Sequence, residues 1–196
     1  FPPPHHKTKG DAMKFSKYSF RFIIIACLCV QSVFLFALDV PPLNGPVNDY
    51  AHIFTASETQ ELNAYLYSID RQSDLQIAVL TIPSLEGESL EDYSIRVAEK
   101  WQIGQKGKDS GVILIIAAQD RKLRIEVGYG LEDRITDAQS SRIIRSVIAP
   151  QFKRQEYGKG VLLGIKSLAG LALQDESLIN EAVKESDRQD DGSIPL

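Results

Sequence analysis

A chain of 196 residues, 43% hydrophobic and 24% charged, has the composition of one globular domain with a single core. Residues 1–37 hold five Lys or Arg and one acidic residue, so residues 38–196 carry 17 basic against 25 acidic side chains, a net charge of −8. Such a domain is a poor partner for nucleic acid, whose phosphates need clustered Lys and Arg. With both cysteines (Cys27, Cys29) in the N-terminal apolar stretch, the rest of the chain offers no thiol nucleophile, redox pair or disulfide framework.

The opening FPPPHHKTKGDA is Pro-rich and basic and precedes the only methionine, Met13, so the natural start is placed there. Lys14, Lys17 and Arg21 then form a positive segment ahead of FIIIACLCVQSVFLFAL (22–38), the order of a secretory signal. The apolar run is 17 residues, long for a signal and short for a membrane span of about 17–25 residues. Removal near Ala37 is the first expectation and an uncleaved N-terminal anchor the second; IIAC (24–27) resembles a lipoprotein box with too few apolar residues before it. Residues 1–38 are therefore set apart, and 39–46, within the Pro-rich DVPPLNGPVND, read as an extended linker.

The folded domain is expected over 47–173. FTASETQELNAYLYSIDRQS (54–73) has a capping-box pattern, Thr55 or Ser57 with Glu58 or Gln60, followed by Leu62, Tyr65, Leu66 and Ile69 at helical spacing. DLQIAVLTIP (74–83) is a strand ended by Pro83, and SLEDYSIRVAEKWQI (89–103) is an amphipathic helix with Leu90, Tyr93, Val97 and Trp101 on one face. The unbroken VILIIAA (112–118) predicts a central strand covered on both sides, and the alternating LRIEVG (123–128) a half-buried strand pairing with it as a hairpin. A helix is expected over 136–152, interrupted at Pro150, and another over 157–173, where Lys166 argues against a membrane span. Residues 174–196 are acidic and weakly apolar and read as a mobile tail with room for one helical turn. The order α-β-α-β-β-α-α predicts a three-layer α/β/α sandwich, Rossmann-like, with a small mixed sheet.

The hairpin brings GKDSG (107–111) beside GYGLEDRITDA (128–138), so Asp109, Glu132, Asp133 and Asp137 are expected at one end of the sheet. Arg124 and Glu126 lie on the polar face nearby, with Asp49 approaching from the lead-in. Several carboxylates on glycine loops suit a hard cation, and Ca²⁺ tolerates irregular oxygen geometry. The plainer reading makes Asp109 a turn residue and Thr136 or Asp137 a helix cap. Other motifs fail on inspection. GYGLED lacks the third glycine of a dinucleotide loop, and DRQDDG (187–192) has Gln189 at a ligand position of an EF-hand. His52 stands without a nucleophile motif, and Trp101 reads as core.

Together, VNDYAHIFT, LQIAVLTI, AEKWQIGQKGKDSGVILIIAAQDRKLRIEVGYGLEDRITDA and IIRSVIAPQFKRQEYGKGVLLGI resemble the TPM domain family, which includes thylakoid-lumen photosystem-repair proteins and exported bacterial proteins. The resemblance spans 47–173 and implies an α/β/α sandwich, export to the periplasm or tethering at the membrane, and in some members binding of Ca²⁺ or a related divalent cation. Carried over by position, the acidic signature falls on Asp49, Asp109, Glu126, Glu132 and Asp137, and Asp120 also matches. The function implied is a non-catalytic module docking on a membrane protein or complex of the envelope to assist its assembly or maintenance. The alternative is a metal-assisted acid phosphatase acting on phosphomonoesters, with Asp109 or Asp137 as nucleophile or metal ligand.

Overall fold

The computed structural model describes residues 37–104 and 107–187. The chain divides into two units, 1–37 and 38–196, and the second is the folded domain. Nearly all of the N-terminal segment expected to direct export, and nearly all of the EF-hand-like DRQDDG, lie outside the described residues. No helix among the described residues is long and apolar enough to cross a membrane.

Four strands form one sheet in the order β1 (Val47–Asp49), β2 (Gln76–Ile82), β3 (Gly111–Ala117) and β4 (Lys122–Val127). The first three are parallel and β4 returns antiparallel beside β3, which makes the sheet mixed. β3 is central and all seven of its residues are buried: Val112, Leu114 and Ile116 face one core, and Ile113, Ile115 and Ala117 the other. A strand buried on both faces has no polar side to show, which is why its sequence does not alternate. β1 is a strand more than the sequence predicts. Three residues are too few for a periodicity, and it exists because the lead-in pairs with β2, Val47 opposite Val79.

On one face lies α1 (Ala56–Gln72), closed at its start by the capping box of Thr55 and Glu58 and burying Leu62, Leu66 and Ile69. The same face carries α3 (Asp137–Ile143), a π-helical turn (Ile144–Ile148), α4 (Ala149–Lys153) and α5 (Tyr157–Leu173). The other face is covered by α2 (Leu90–Trp101), which buries Leu90, Tyr93, Val97 and Trp101 at the expected spacing. These are the three layers of the sandwich.

Three details differ from expectation. Pro150 does not interrupt the helix; it sits in the first turn of α4, where a missing N–H costs little, and the wide turn before it keeps the chain helical, Ala149 N donating to Ile144 O. Residues Glu176–Asp187 are a twelve-residue helix, α6, rather than one turn. Its Ala182 is buried, and Lys166 of α5 pairs with Glu181 at 2.8 Å and Glu185 at 3.5 Å, so tertiary packing supplies what weak local hydropathy does not. The lead-in is also fastened: from one stretch of α2, Arg96, Lys100 and the Trp101 indole donate to the carbonyls of Leu38, Val40 and Pro41 at 2.8, 2.5 and 2.9 Å. Trp101 is thus both core residue and clasp.

Candidate functional site

The two glycine loops meet at the start of β3 through their backbones. Gly128 N donates to Gly111 O at 2.8 Å and Gly130 N to Asp109 O at 3.2 Å. A Cβ on Gly128 would lie 2.2 Å from Asp109 O, and one on Gly130 only 1.9 Å from Lys108 O. No side chain fits either position, so the glycines of GYG are there because a second backbone passes over them. Asp109 itself has φ 47°, a left-handed conformation that Asp tolerates better than most residues.

Beside this clasp, between the sheet and the end of α2, opens a cleft of about 600 Å³. Ala98 and Ile103 line it from the α2 side, Ile113 and Val127 from the sheet, and Asp109, Glu126 and Tyr129 bring polar groups to it. Tyr129 is 82% exposed, the most exposed large hydrophobic side chain among the described residues.

Charge around the cleft is organised by Arg124. Glu126 Oε1 accepts from Arg124 Nε and from Ser94 Oγ, the latter at 2.6 Å, and Glu91 lies 3.7 Å from the same guanidinium. The hydrogen bond to Glu126 raises the Arg124 pKa above its ordinary value, with Glu91 and Asp137 adding to the effect. The Glu91 carboxyl is held low by its backbone hydrogen bond first, then by the Ser89 hydroxyl and Arg124. Glu126 Oε1 is therefore already taken up within the domain, by Arg124 and Ser94 together.

Of the five expected ligands, Asp109 and Glu126 line the same cleft. Asp137 opens α3, where Thr136 rather than Asp137 is the cap, and falls within the field of Arg124. Glu132 is exposed on the loop. Asp49 does not join them. It closes β1, whose register against β2 (Asp49 opposite Thr81) puts it at the other end of the sheet, where it accepts from Ile53 N at 3.2 Å, Phe54 N at 3.0 Å and Thr81 Oγ1. Asp120 is at that end too, accepting from Leu85 N at 2.8 Å. Among the described residues no three His, Cys, Asp or Glu side chains are placed to share a metal ion, so these carboxylates do not form a ready-made cation cage. Sequence reasoning passed over Ser94, Ile103 and Tyr129. Only Tyr129 carries a local signal, an aromatic side chain between two glycines in a loop.

An open mixed sheet of four strands, covered by helices on both faces and closed at one end by a glycine clasp, defines a three-layer α/β/α domain. The family follows from comparison: the TPM domain model matches residues 47–171, and the chain belongs to that family. Among solved structures it is similar to the N-terminal domain of a protein from P. gingivalis, with 28% identity and a TM-score of 0.53 over 70% of this chain and 83% of that one. It shares its fold with the BA42 protein from Bizionia argentinensis, at 18% identity and a TM-score of 0.51 over 72% of this chain and 91% of that one. No curated protein matches the chain.

Proposed function

We propose that the domain is a non-catalytic docking module, exported to the cell envelope, which takes a side chain of a membrane-protein partner into the cleft beside the clasp. The observation that carries this reading is Tyr129, 82% exposed at the edge of a cleft of about 600 Å³ with apolar walls. A rigid aromatic side chain held in water beside a concave apolar surface is the kind of anchor that dominates binding energy at protein interfaces. Its backbone is fixed by the glycine clasp, so little order has to be imposed when a partner arrives. In the same proposal a divalent cation such as Ca²⁺ is recruited by the exposed Asp109, Glu132 and Asp137 as the partner docks, since the loop does not present them as a cage beforehand.

The test is capture from detergent-solubilised envelope by the wild-type domain and by Tyr129→Ala, each with Ca²⁺ and with chelator. A membrane protein retained by the wild type and lost with Tyr129→Ala is expected, and equal capture by both overturns the reading. A phosphomonoester assay of wild type and Asp109→Asn runs alongside. Robust turnover abolished in Asp109→Asn makes the domain a phosphatase instead.

A further inference from the structure

β4 is an edge of the sheet, and the parity of its ladder decides which of its main-chain groups are spare. Gly128 N reaches Gly111 O and Gly130 N reaches Asp109 O. Counted in twos along the same register, Glu126, Arg124 and Lys122 are the residues that bond back to Ile113, Ile115 and Ala117. Leu123, Ile125 and Val127 therefore turn their N–H and C=O groups outward, and among the described residues no hydrogen bond meets them. Their side chains pack into the core on the α1 side, whereas Lys122, Arg124 and Glu126 lie on the face that α2 covers.

An unpaired edge is a template for another strand, and its side chains decide which strand fits. Consider β4 antiparallel to β4 of a second copy, with outward groups joined to outward groups. Centred on Arg124, the pairing sets Arg124 against Arg124; centred on Glu126, it sets Glu126 against Glu126. Both are repulsive. Centred on Ile125, it sets Arg124 against Glu126 of the second copy, and the twofold axis repeats the pair. In that register Ile125 exchanges hydrogen bonds with Ile125, and Leu123 with Val127. The opposed charges then fall at the non-hydrogen-bonded positions, where facing side chains stand closest. Hydrogen-bond parity and charge thus select the same register.

The groups this needs are available. The Arg124 side chain is 35% exposed, and neither its Nη2 nor Glu126 Oε2 makes a hydrogen bond among the described residues. On α2, the side that carries Glu91 and Ser94 toward β4 also carries Ile95, which is 48% exposed. A twofold axis perpendicular to the sheet brings both α2 helices to the same face, with Ile95 of each beside the seam. We propose that two copies of this chain join through β4, antiparallel about a twofold axis at Ile125, so that two four-stranded sheets become one. The inference concerns the strand edge and does not depend on what the cleft takes up.

The full chain from Met13, purified in detergent, is read by light scattering during size-exclusion chromatography. A dimer is expected at about 50 μM protein, and a monomer there overturns the proposal. Arg124→Glu and Glu126→Arg each set like charges opposite one another on both sides of the axis, and each is expected to weaken the dimer about thirtyfold. Mixed in equal amounts, the two variants oppose unlike charges again, and a heterodimer as tight as the wild type is expected. Contacts made only within one copy predict two defective proteins that stay defective when mixed, and that result overturns the register. Amide hydrogen exchange of the wild type needs no variant. Leu123, Ile125 and Val127 are expected to exchange about tenfold faster on dilution to monomer, while Arg124 and Glu126, bonded to β3, do not change. Exchange at Leu123, Ile125 and Val127 that is indifferent to dilution overturns the pairing.

Discussion

The two ends of the sheet use their carboxylates in opposite ways. Where the parallel strands finish, Asp49 accepts from two backbone amides and a threonine hydroxyl, and Asp120 from the Leu85 amide, so each carboxylate fastens a loop that has no ladder of its own. Where they begin, the loops fasten themselves backbone to backbone across Gly128 and Gly130, leaving Asp109, Glu132 and Asp137 exposed to solvent. Five acidic residues that look alike in a sequence thus divide by a single criterion, whether the adjacent backbone already has partners for its N–H groups. Loops that satisfy their own amides leave their carboxylates available for something outside the chain.

That contrast breaks most visibly at Gly130. Gly130→Ala sets a Cβ against the Lys108 carbonyl, a backbone atom unable to step aside, and is expected to cost about 3 kcal/mol in denaturant unfolding. At the far end Asp49→Ala is expected to cost about 2 kcal/mol, because two amides and a hydroxyl lose a charged acceptor. If Asp49→Ala proves as harmless as a surface change, the division between the ends fails.

Tyr93, in the first turns of α2, has a buried hydroxyl without a hydrogen-bond partner among the described residues. Tyr93→Phe is expected to stabilise by about 1 kcal/mol, since it removes an unmet desolvation cost. Burial pushes the Tyr93 phenol up to about 12. A raised folded pKa means that the unfolded chain loses this proton first, so stability present below pH 10 declines between about pH 10 and pH 12, and Tyr93→Phe removes that part of the slope. The smallest effect is expected at Asp109→Asn, which keeps the left-handed backbone and should change stability by less than about 0.5 kcal/mol while altering any cation response of the melting temperature.

Much of the fold was legible. Leu62, Leu66 and Ile69 on α1, and Leu90, Tyr93, Val97 and Trp101 on α2, occupy the core as their spacing predicts, and the purity of β3 announces its central place. β1 was not legible because a three-residue edge strand is defined by its partner, and α6 was not because its stability comes from Lys166 and the surface of α5. The meeting of the loops at Asp109 and Gly128 followed from the hairpin alone. The misplacement of Asp49 followed from a missing strand: without β1 there is no register to show which end of the sheet it occupies. The cleft, made by residues of α2 approaching the sheet from elsewhere in the chain, has no signature within any one segment.

The π-helical turn at Ile144–Ile148 has a consequence for how much the chain can change in length. Among the buried positions around it, Ile143, Val147 and Gln151 stand four apart, and in a regular helix each such step overshoots by about 40°. The wide turn carries a surplus residue and so cancels much of that drift, letting Gln151 reach Ser186 at 3.4 Å on α6 while Ile143 still faces the core. A chain shorter by one residue within 144–148 would close into an ordinary helix presenting the same face, whereas a chain longer by one would turn Gln151 and everything after it away from their partners. The segment is a place where this protein can give up a residue but not gain one.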